Sequence, residues 1–365
     1  MTLCGTRPEL VRLSEVIRKL DQFTNHIFVH TNQSYDYELN QIFFDEMKIR
    51  KPDYLLNVKA DTVGKQIGNI LSQCEEVMLK EKPDAIVILG DTNSALSCII
   101  AKRLRIPIFH LEAGNRCFDN RVPEEINRRI VDHTADVNVC YTEHARRNLL
   151  QEGLPTQNIF VLGTPLVEVY ARYKDEIESS KILEKLKIKK DGYIVASIHR
   201  EENVNDKENL EIIIKSFNTI VNKYKMPMIF TTHPRTRNRV KELKMDIDNR
   251  IIFHKPFGLF DYIKLEQNAL VNLSDSGTTH ENSAILGLSA IHIRESNERP
   301  EAYDRGNLIM SGVDVDNILN SIEIVIAQRD IKFSNPYFGD NFSDKVLRLI
   351  MQCKIVKRKE YYGEN

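Results

Sequence analysis

The feature that most constrains this chain is an alternation of short apolar runs with amphipathic segments, in two successive series. In the first, Met1–Cys4, His26–Thr31, Ala85–Leu89, Ile106–His110, Val137–Tyr141 and Ile159–Leu162 read as strands. Arg7–Leu20 places Leu10, Leu13, Ile17 and Leu20 on one helical face. Val63–Lys80 and Ser94–Leu104 continue the helical pattern, and Pro123 opens a further helix at its favoured first position. The second series starts at Tyr193–Ile198, passes through the amphipathic Lys207–Tyr224, and continues with Met228–Thr232, Ile251–Phe253, Ala269–Ser274 and Ala290–Ile293. Such alternation builds parallel sheets with helices on both faces, so the class is α/β. A length of 365 residues suits about two domains. The series meet at Gly163-Thr164-Pro165, which is the expected joint: residues 1–163 form one domain and 164–340 the other, and 341–365 a terminal helix with a basic end.

Composition narrows the function. Lys+Arg is 51 and Asp+Glu 52, without the basic excess of a general nucleic-acid binder. No apolar run approaches the roughly 18 residues of a membrane span, and the first residues lack a signal-peptide pattern. The six cysteines show neither CxxC pairs nor framework spacing, which reads as free thiols in a reducing cytoplasm. No HExxH or Cys–His set suggests a metal, no GxxxxGK[ST] loop supports ATP-driven phosphoryl transfer, and no GxGxxG follows the first strand to support nicotinamide chemistry. No cofactor is expected.

In open parallel sheets, ligands bind beyond the carboxyl ends of the strands. Six strand ends here carry polar clusters: Gly5–Glu9, Gly90–Ser94, Leu111–Gly114, His199–Asn203, His233–Arg235 and Ser274–Thr279. Their agreement points to one site in the cleft between the domains. Asp91, Glu112 and Glu124 are carboxylates near one sheet edge, and crowding can tune such groups for proton transfer. The bland alternative makes Asp91 a helix cap, and Glu124 a first-turn acid or the partner of Arg128 in an i, i+4 surface pair. Gly5-Thr6-Arg7-Pro8 and Ser276-Gly277-Thr278 each lead into a helix, whose free N–H groups, with Arg7 and His199, would suit a diphosphate. The alternative there is a pair of ordinary N-caps, Thr6 and Ser276. His110 and His133 read as structural histidines.

GTRPE (Gly5–Glu9), GDTNS (Gly90–Ser94), HLEAGNR (His110–Arg116), PEEINRR (Pro123–Arg129), IHREEN (Ile198–Asn203), DSG (Asp275–Gly277) and ERPEA (Glu298–Ala302) stand in this order along nearly the whole chain. The ordered set resembles the non-hydrolysing UDP-N-acetylglucosamine 2-epimerase family. The resemblance implies a glycosyltransferase-B-like fold of two Rossmann-like domains, with the active site in the cleft between them and the last helix crossing back to the first domain. It implies inversion at C2 of a UDP-linked 2-acetamido sugar, by elimination and re-addition of UDP, without metal or redox cofactor, in a cytoplasmic homodimer that binds neither nucleic acid nor membrane. By position, Asp91, Glu112, Glu124 and His199 match catalytic residues. Arg7, Arg12, Arg128, Ser276, Gly277, Thr278, Asn282 and Arg299 match substrate-binding positions, and Tyr262 falls where an aromatic lies beside uracil.

Several positions depart from the family pattern. Arg12 and Ser14 replace a lysine and a proline, Asn32–Glu38 differs from a segment used for allosteric nucleotide-sugar binding, and Asn282 replaces a ribose-binding glutamate. These departures resemble the branch that forms UDP-N-acetyl-L-fucosamine from its 6-deoxy-L-talo precursor for capsule or O-antigen polysaccharide. The alternatives are the UDP-N-acetylglucosamine/UDP-N-acetylmannosamine epimerase itself, a glycosyltransferase of the same fold, and a non-catalytic nucleotide-sugar sensor. The last fits poorly with three retained carboxylates and His199.

Overall fold

The computed structural model describes residues 1–33, 37–232 and 234–362, with the side chains of all of these except 37–41, 234–235 and 354–362. It divides into two compact units. Met1–Arg172 with Tyr337–Asn365 form the first, and Tyr173–Pro336 the second.

The first unit is built on β1 (Thr2–Cys4), β2 (Phe28–His30), β3 (Tyr54–Leu55), β4 (Ile86–Leu89), β5 (Ile108–Leu111), β6 (Val137–Cys140) and β7 (Ile159–Val161). They lie in the order β3-β2-β1-β4-β5-β6-β7, with every pair parallel. The second unit holds β8 (Ile194–Ser197), β9 (Met228–Thr231), β10 (Ile251–His254), β11 (Asn272–Ser274), β12 (Ala290–His292) and β13 (Ile309–Met310). Their order is β10-β9-β8-β11-β12-β13, again all parallel. Both are doubly wound Rossmann-like sheets. The chain reverses its winding direction between β1 and β4, and between β8 and β11. Each reversal leaves a crevice at the strand carboxyl ends, which is where such sheets bind ligands.

Sequence explains the layers. Ile86-Val87-Ile88-Leu89 is buried throughout, as a strand covered on both faces must be. The helix Lys207–Tyr224 is capped by Asp206, whose Oδ1 accepts from Asn209 N at 2.9 Å, and ends at a left-handed Lys225. Its buried face (Leu210, Ile213, Ile214, Phe217, Ile220, Val221) packs with Ile194, Ala196, Met228 and Phe230 of the sheet. Each such side chain contributes about 1.5–3 kcal/mol on burial. β3 and β13 were not expected: each has only two residues and neither is fully buried, too little to leave a pattern. Ser94–Leu104 begins as a 3₁₀ turn, Asn93–Ser97, before Cys98–Arg103 becomes α-helical.

The expected joint at Gly163–Pro165 is corrected. Thr164 N donates to Phe338 O at 2.7 Å, and a side chain at Gly163 would collide with the Phe338 carbonyl. Helix Pro165–Arg172 packs on helix Arg7–Phe23, so residues 164–172 belong to the first unit and the chain leaves it after Arg172. It returns at Tyr337, and the terminal helix Phe342–Tyr362 packs on Arg7–Phe23 and Pro165–Arg172. Lys19 Nζ meets Asp344 at 2.9 Å, and the Ser343 hydroxyl donates to Glu168 at 2.7 Å. Among the described residues, no helix is long and apolar enough to cross a membrane.

Candidate active site

At the first switch point, Gly5 follows β1. A Cβ there would strike the hydroxyls of Thr31 and Ser94, which bond each other at 2.7 Å, so glycine is required by close approach. The loop amides before the helix that follows are taken by the chain's own Glu9. Glu9 Oε2 accepts from Gly5 N (3.1 Å), Thr6 N (2.8 Å) and the Thr6 hydroxyl (2.7 Å), and Oε1 accepts from Thr92 (3.1 Å). This is a capping box, the arrangement of the N-cap alternative at Thr6, and it fills the Gly5 and Thr6 amides. Burial pushes the Glu9 carboxyl up to about 7 against those hydrogen bonds. Arg7 is half-buried with its guanidinium 5.3 Å from the Phe43 ring centre.

The carboxylates stand on the adjacent strand ends. Asp91 follows β4 and is gripped by Arg128, through Nε at 2.9 Å and Nη2 at 2.8 Å. Glu112 follows β5 with a left-handed φ of 67°. That conformation costs a non-glycine residue about 1–3 kcal/mol and is typical of functional positions. Its Oε2 lies 3.7 Å from Arg12 Nε and accepts from the Tyr141 hydroxyl at 3.0 Å. Arg12 and Arg128 are both buried, so each guanidinium offsets the charge of one carboxylate in a low-dielectric edge. Glu124, in the first turn of Pro123–Thr134, is half-buried and has no hydrogen bond or ion pair among the described residues. The alternative of a Glu124–Arg128 surface pair is not what forms: Arg128 turns to Asp91 and to Glu125, at 3.2 Å.

Glu125 was not singled out by sequence. It is fully buried and also takes the Cys117 and Phe118 amides and Arg129. Burial opposes its charge, but these donors and Arg128 outweigh that and hold its carboxyl below the usual range. His110 is fully buried beneath the same edge. Its Nε2 meets the Gly90 carbonyl at 2.9 Å and its Nδ1 lies 2.9 Å from Asp132. Asp132 in turn takes the Gly114 amide and Arg116.

The second switch point is built differently. Buried Asp275, after β11, accepts from the backbone amides of His199 (3.1 Å) and Arg200 (2.9 Å) and from the Asn203 amide group (3.1 Å). His199 Nδ1 also approaches Asp275 at 3.3 Å, while its side chain remains about 45% exposed. The turn Ser276-Gly277 opens helix Thr278–Leu286, with Ser274 Oγ accepting from Ser276 N at 3.0 Å and Ser276 Oγ from Thr278 N at 3.4 Å. Ser276 and Thr278 are half-buried. A side chain at Gly277 would press on Glu298 Oε1, so the turn is shaped by close approach. Arg299 is buried and supports this turn from behind, donating to Gly277 O at 3.0 Å and to Glu281 at 2.5 Å. Asn282 donates to Glu266 at 2.7 Å. Burial raises the Glu266 carboxyl to about 7, against bonds from Asn282 and Tyr262. Tyr262 is half-buried on helix Leu259–Asn268 and packs against Tyr193 and Phe257.

Each switch point thus gathers its own set. Arg7, Arg12, Asp91, Glu112, Glu124 and Arg128 fall in the first unit, and His199, Tyr262, Ser276, Gly277, Thr278, Asn282 and Arg299 in the second. The Ser34–Glu38 departure and the His233–Arg235 strand end lie outside the described side chains. Residues 18–351 match the family described as UDP-N-acetylglucosamine 2-epimerase. The chain belongs to that family.

Solved relatives place the likeness over the whole chain. The structure of UDP-N-acetylglucosamine 2-epimerase from Rickettsia bellii is 44% identical with a TM-score of 0.91, covering 100% of this chain and 99% of its own. The Methanocaldococcus jannaschii UDP-GlcNAc 2-epimerase, solved with UDP-GlcNAc and UDP, is 35% identical with a TM-score of 0.90, covering 96% and 99%. The Pseudomonas aeruginosa UDP-2,3-diacetamido-2,3-dideoxy-D-glucuronate 2-epimerase is 32% identical over 95% of this chain and 97% of its own. The family is one of isomerases acting on UDP-sugars, so the glycosyltransferase and sensor alternatives lose their support.

Sequence reasoning missed Tyr141, Glu125, Asp275, Glu298 and Glu266. Glu125, Asp275 and Glu298 stand inside the quoted motifs PEEINRR, DSG and ERPEA, and that membership was the available signal. Glu266 and Tyr141 left none, because their roles arise from contacts across 16 and 29 positions of sequence.

Proposed function

We propose that this chain inverts C2 of a UDP-linked 2-acetamido sugar. What supports the reading is the first switch point: Asp91 and Glu112 follow the neighbouring strands β4 and β5, each beside a buried guanidinium, and Glu124 stands in the first turn of Pro123–Thr134. The C2 proton passes to a carboxylate, the C1–O bond breaks with its electron pair leaving on UDP, and a C1=C2 glycal forms. UDP then re-adds at C1 while C2 takes a proton on its other face, so the net change is an isomerisation. Carboxylates suit both tasks, moving the proton and facing the positive charge that develops at C1. At the second switch point, His199 and the Ser276–Thr278 turn serve the diphosphate, Arg299 stiffens that turn, and Tyr262 lies toward the uracil. The same reading makes the protein a cytoplasmic homodimer, in keeping with free thiols at all six cysteines.

For the sugar, the relatives favour UDP-N-acetylglucosamine and UDP-N-acetylmannosamine. A second reading, UDP-2-acetamido-2,6-dideoxy-L-talose to UDP-N-acetyl-L-fucosamine, is favoured by Arg12, which departs from the family pattern and lies against Glu112. The departure at Ser14 is neutral between them, since its hydroxyl is buried and bonded to Val11 O at 2.9 Å within the helix. An NMR time course in heavy water with each sugar nucleotide under one condition decides. Deuterium at C2 with interconversion of the D-sugars supports the first reading, and turnover confined to the L-talo compound supports the second. No deuterium incorporation from either would sink the epimerase assignment.

A further inference from the structure

We propose that Tyr141 is the positioning residue for Glu112, and that it joins this carboxylate to the terminal helix. The proposal rests on the epimerase reading above. Glu112 and Tyr141 follow neighbouring strands, β5 and β6, whose register pairs Leu111 with Val139. Their side chains therefore emerge at the same edge, and the Tyr141 hydroxyl donates to Glu112 Oε2 at 3.0 Å.

Burial and two ring contacts fix where that hydroxyl lies. Tyr141 is only 3% exposed, so its ring cannot swing into solvent. On one side, the Arg12 guanidinium lies 6.0 Å from the ring centre, within reach of a cation–π attraction, and the same guanidinium approaches Glu112. On the other, the fully buried Phe342 of helix Phe342–Tyr362 meets the ring edge-on, at 6.4 Å between centres and 83° between planes.

Glu112 needs such a hold. Its left-handed backbone turns the chain at the strand end but leaves the direction of a long side chain open. A carboxylate that must meet one carbon of a substrate has to be kept within about 0.5 Å of the productive place. One hydroxyl donor on a packed ring supplies that restraint without adding charge. The packing also gives the terminal helix a part in the site: Phe342, 230 positions from Glu112 in sequence, supports the ring that orients the acid.

The test uses the purified full chain and the sugar nucleotide that the wild type turns over. Tyr141→Phe keeps the ring, Arg12 and Phe342 contacts and removes only the hydroxyl. The loss of a hydrogen bond to a charged acceptor predicts that kcat falls about tenfold to hundredfold. C2 deuterium exchange should slow in parallel, while KM and the UDP dissociation constant stay within about twofold and thermal unfolding is unchanged. Tyr141→Met, which removes the hydroxyl and the ring together, should lose at least as much turnover, and its thermal unfolding reports separately what the ring contacts contribute to the fold. In a Glu112→Gln background, followed by long exchange time courses, Tyr141→Phe should cost less than about twofold, because the carboxylate that the hydroxyl positions is already gone. Wild-type kcat in Tyr141→Phe, or an equal loss in the Glu112→Gln background, overturns the positioning role alone. Absence of C2 exchange in the wild type overturns the epimerase reading and this proposal with it.

Discussion

The two switch points share a topology and use it in opposite ways. At β1 and β4 Glu9 takes the Gly5 and Thr6 amides, and the edge is furnished with carboxylates, two of them beside buried guanidiniums. At β8 and β11 the acid Asp275 is turned inward onto the His199 and Arg200 amides, and the helix after Ser276–Gly277 is met at its start by a neutral hydroxyl, Ser276 Oγ accepting from Thr278 N. A Rossmann-like edge is therefore not an anion site by geometry alone. Each edge spends one buried acid on its own loop amides, Glu9 on Gly5 and Thr6 and Asp275 on His199 and Arg200, and the edges differ in the side chains that remain: carboxylates beside guanidiniums at one, His199 and the Ser276–Gly277 turn at the other.

The largest expected effect tests the first edge. Asp91→Asn, Glu112→Gln and Glu124→Gln, near-isosteric changes that remove proton capacity, should each lower turnover by about 10²–10⁴-fold. UDP affinity by calorimetry should stay within a few-fold. A variant with near-normal C2 exchange leaves the catalytic set, and parallel loss of UDP binding in all three would erase the contrast between the edges.

A smaller effect tests the second edge. His199→Ala and Arg299→Ala should weaken UDP binding by about tenfold or more, as expected when charge-assisted bonds or the turn beneath them are lost. Arg7→Ala, beside the helix start that Glu9 already fills, should weaken it less. Calorimetry that ranks Arg7 first would show that the first edge binds the diphosphate despite its capping box.

The smallest effect tests what the edges have in common. Glu9 and Glu266 are buried acids raised from 4.5 to about 7, one in each unit. A raised folded-state value means that their stabilisation is fully present below about pH 4.5 and is lost as pH rises through about 7. Acids held low, such as Glu152 at about 2 through its bond from Arg116, act only below that window. His26, His30 and His280, held at about 4 by burial, gain stability as pH rises through the same window, so the test is a difference. In urea unfolding the wild type should lose stability relative to Glu9→Gln and to Glu266→Gln between about pH 4.5 and 7, by on the order of 1–3 kcal/mol per residue. A slope unchanged in Glu266→Gln would mean that its burial does not penalise the charge.

Sequence by itself determined the α/β class, the order of the longer strands and the polar strand ends, because apolar runs and helical periodicity are local records of which faces are buried. Lys207–Tyr224 was legible to the residue, with its aspartate cap and continuous apolar face. The carboxylates were legible too, since Asp91 and Glu112 follow strands whose apolar character ends abruptly. Tertiary structure decided the rest. The partner of Arg128 is Asp91 and Glu125 rather than Glu124, because the helix Pro123–Thr134 turns its buried face, not its i, i+4 stripe, toward β4. The joint lies after Arg172 rather than at Gly163, because a glycine–proline pair marks a turn but does not say which strand end it is sewn to. Glu266 meets Asn282, and Tyr141 meets Glu112 and Phe342, only once the sheets are wound. Local pattern records burial, whereas these pairings depend on which buried faces meet, and that is set by packing across the whole fold.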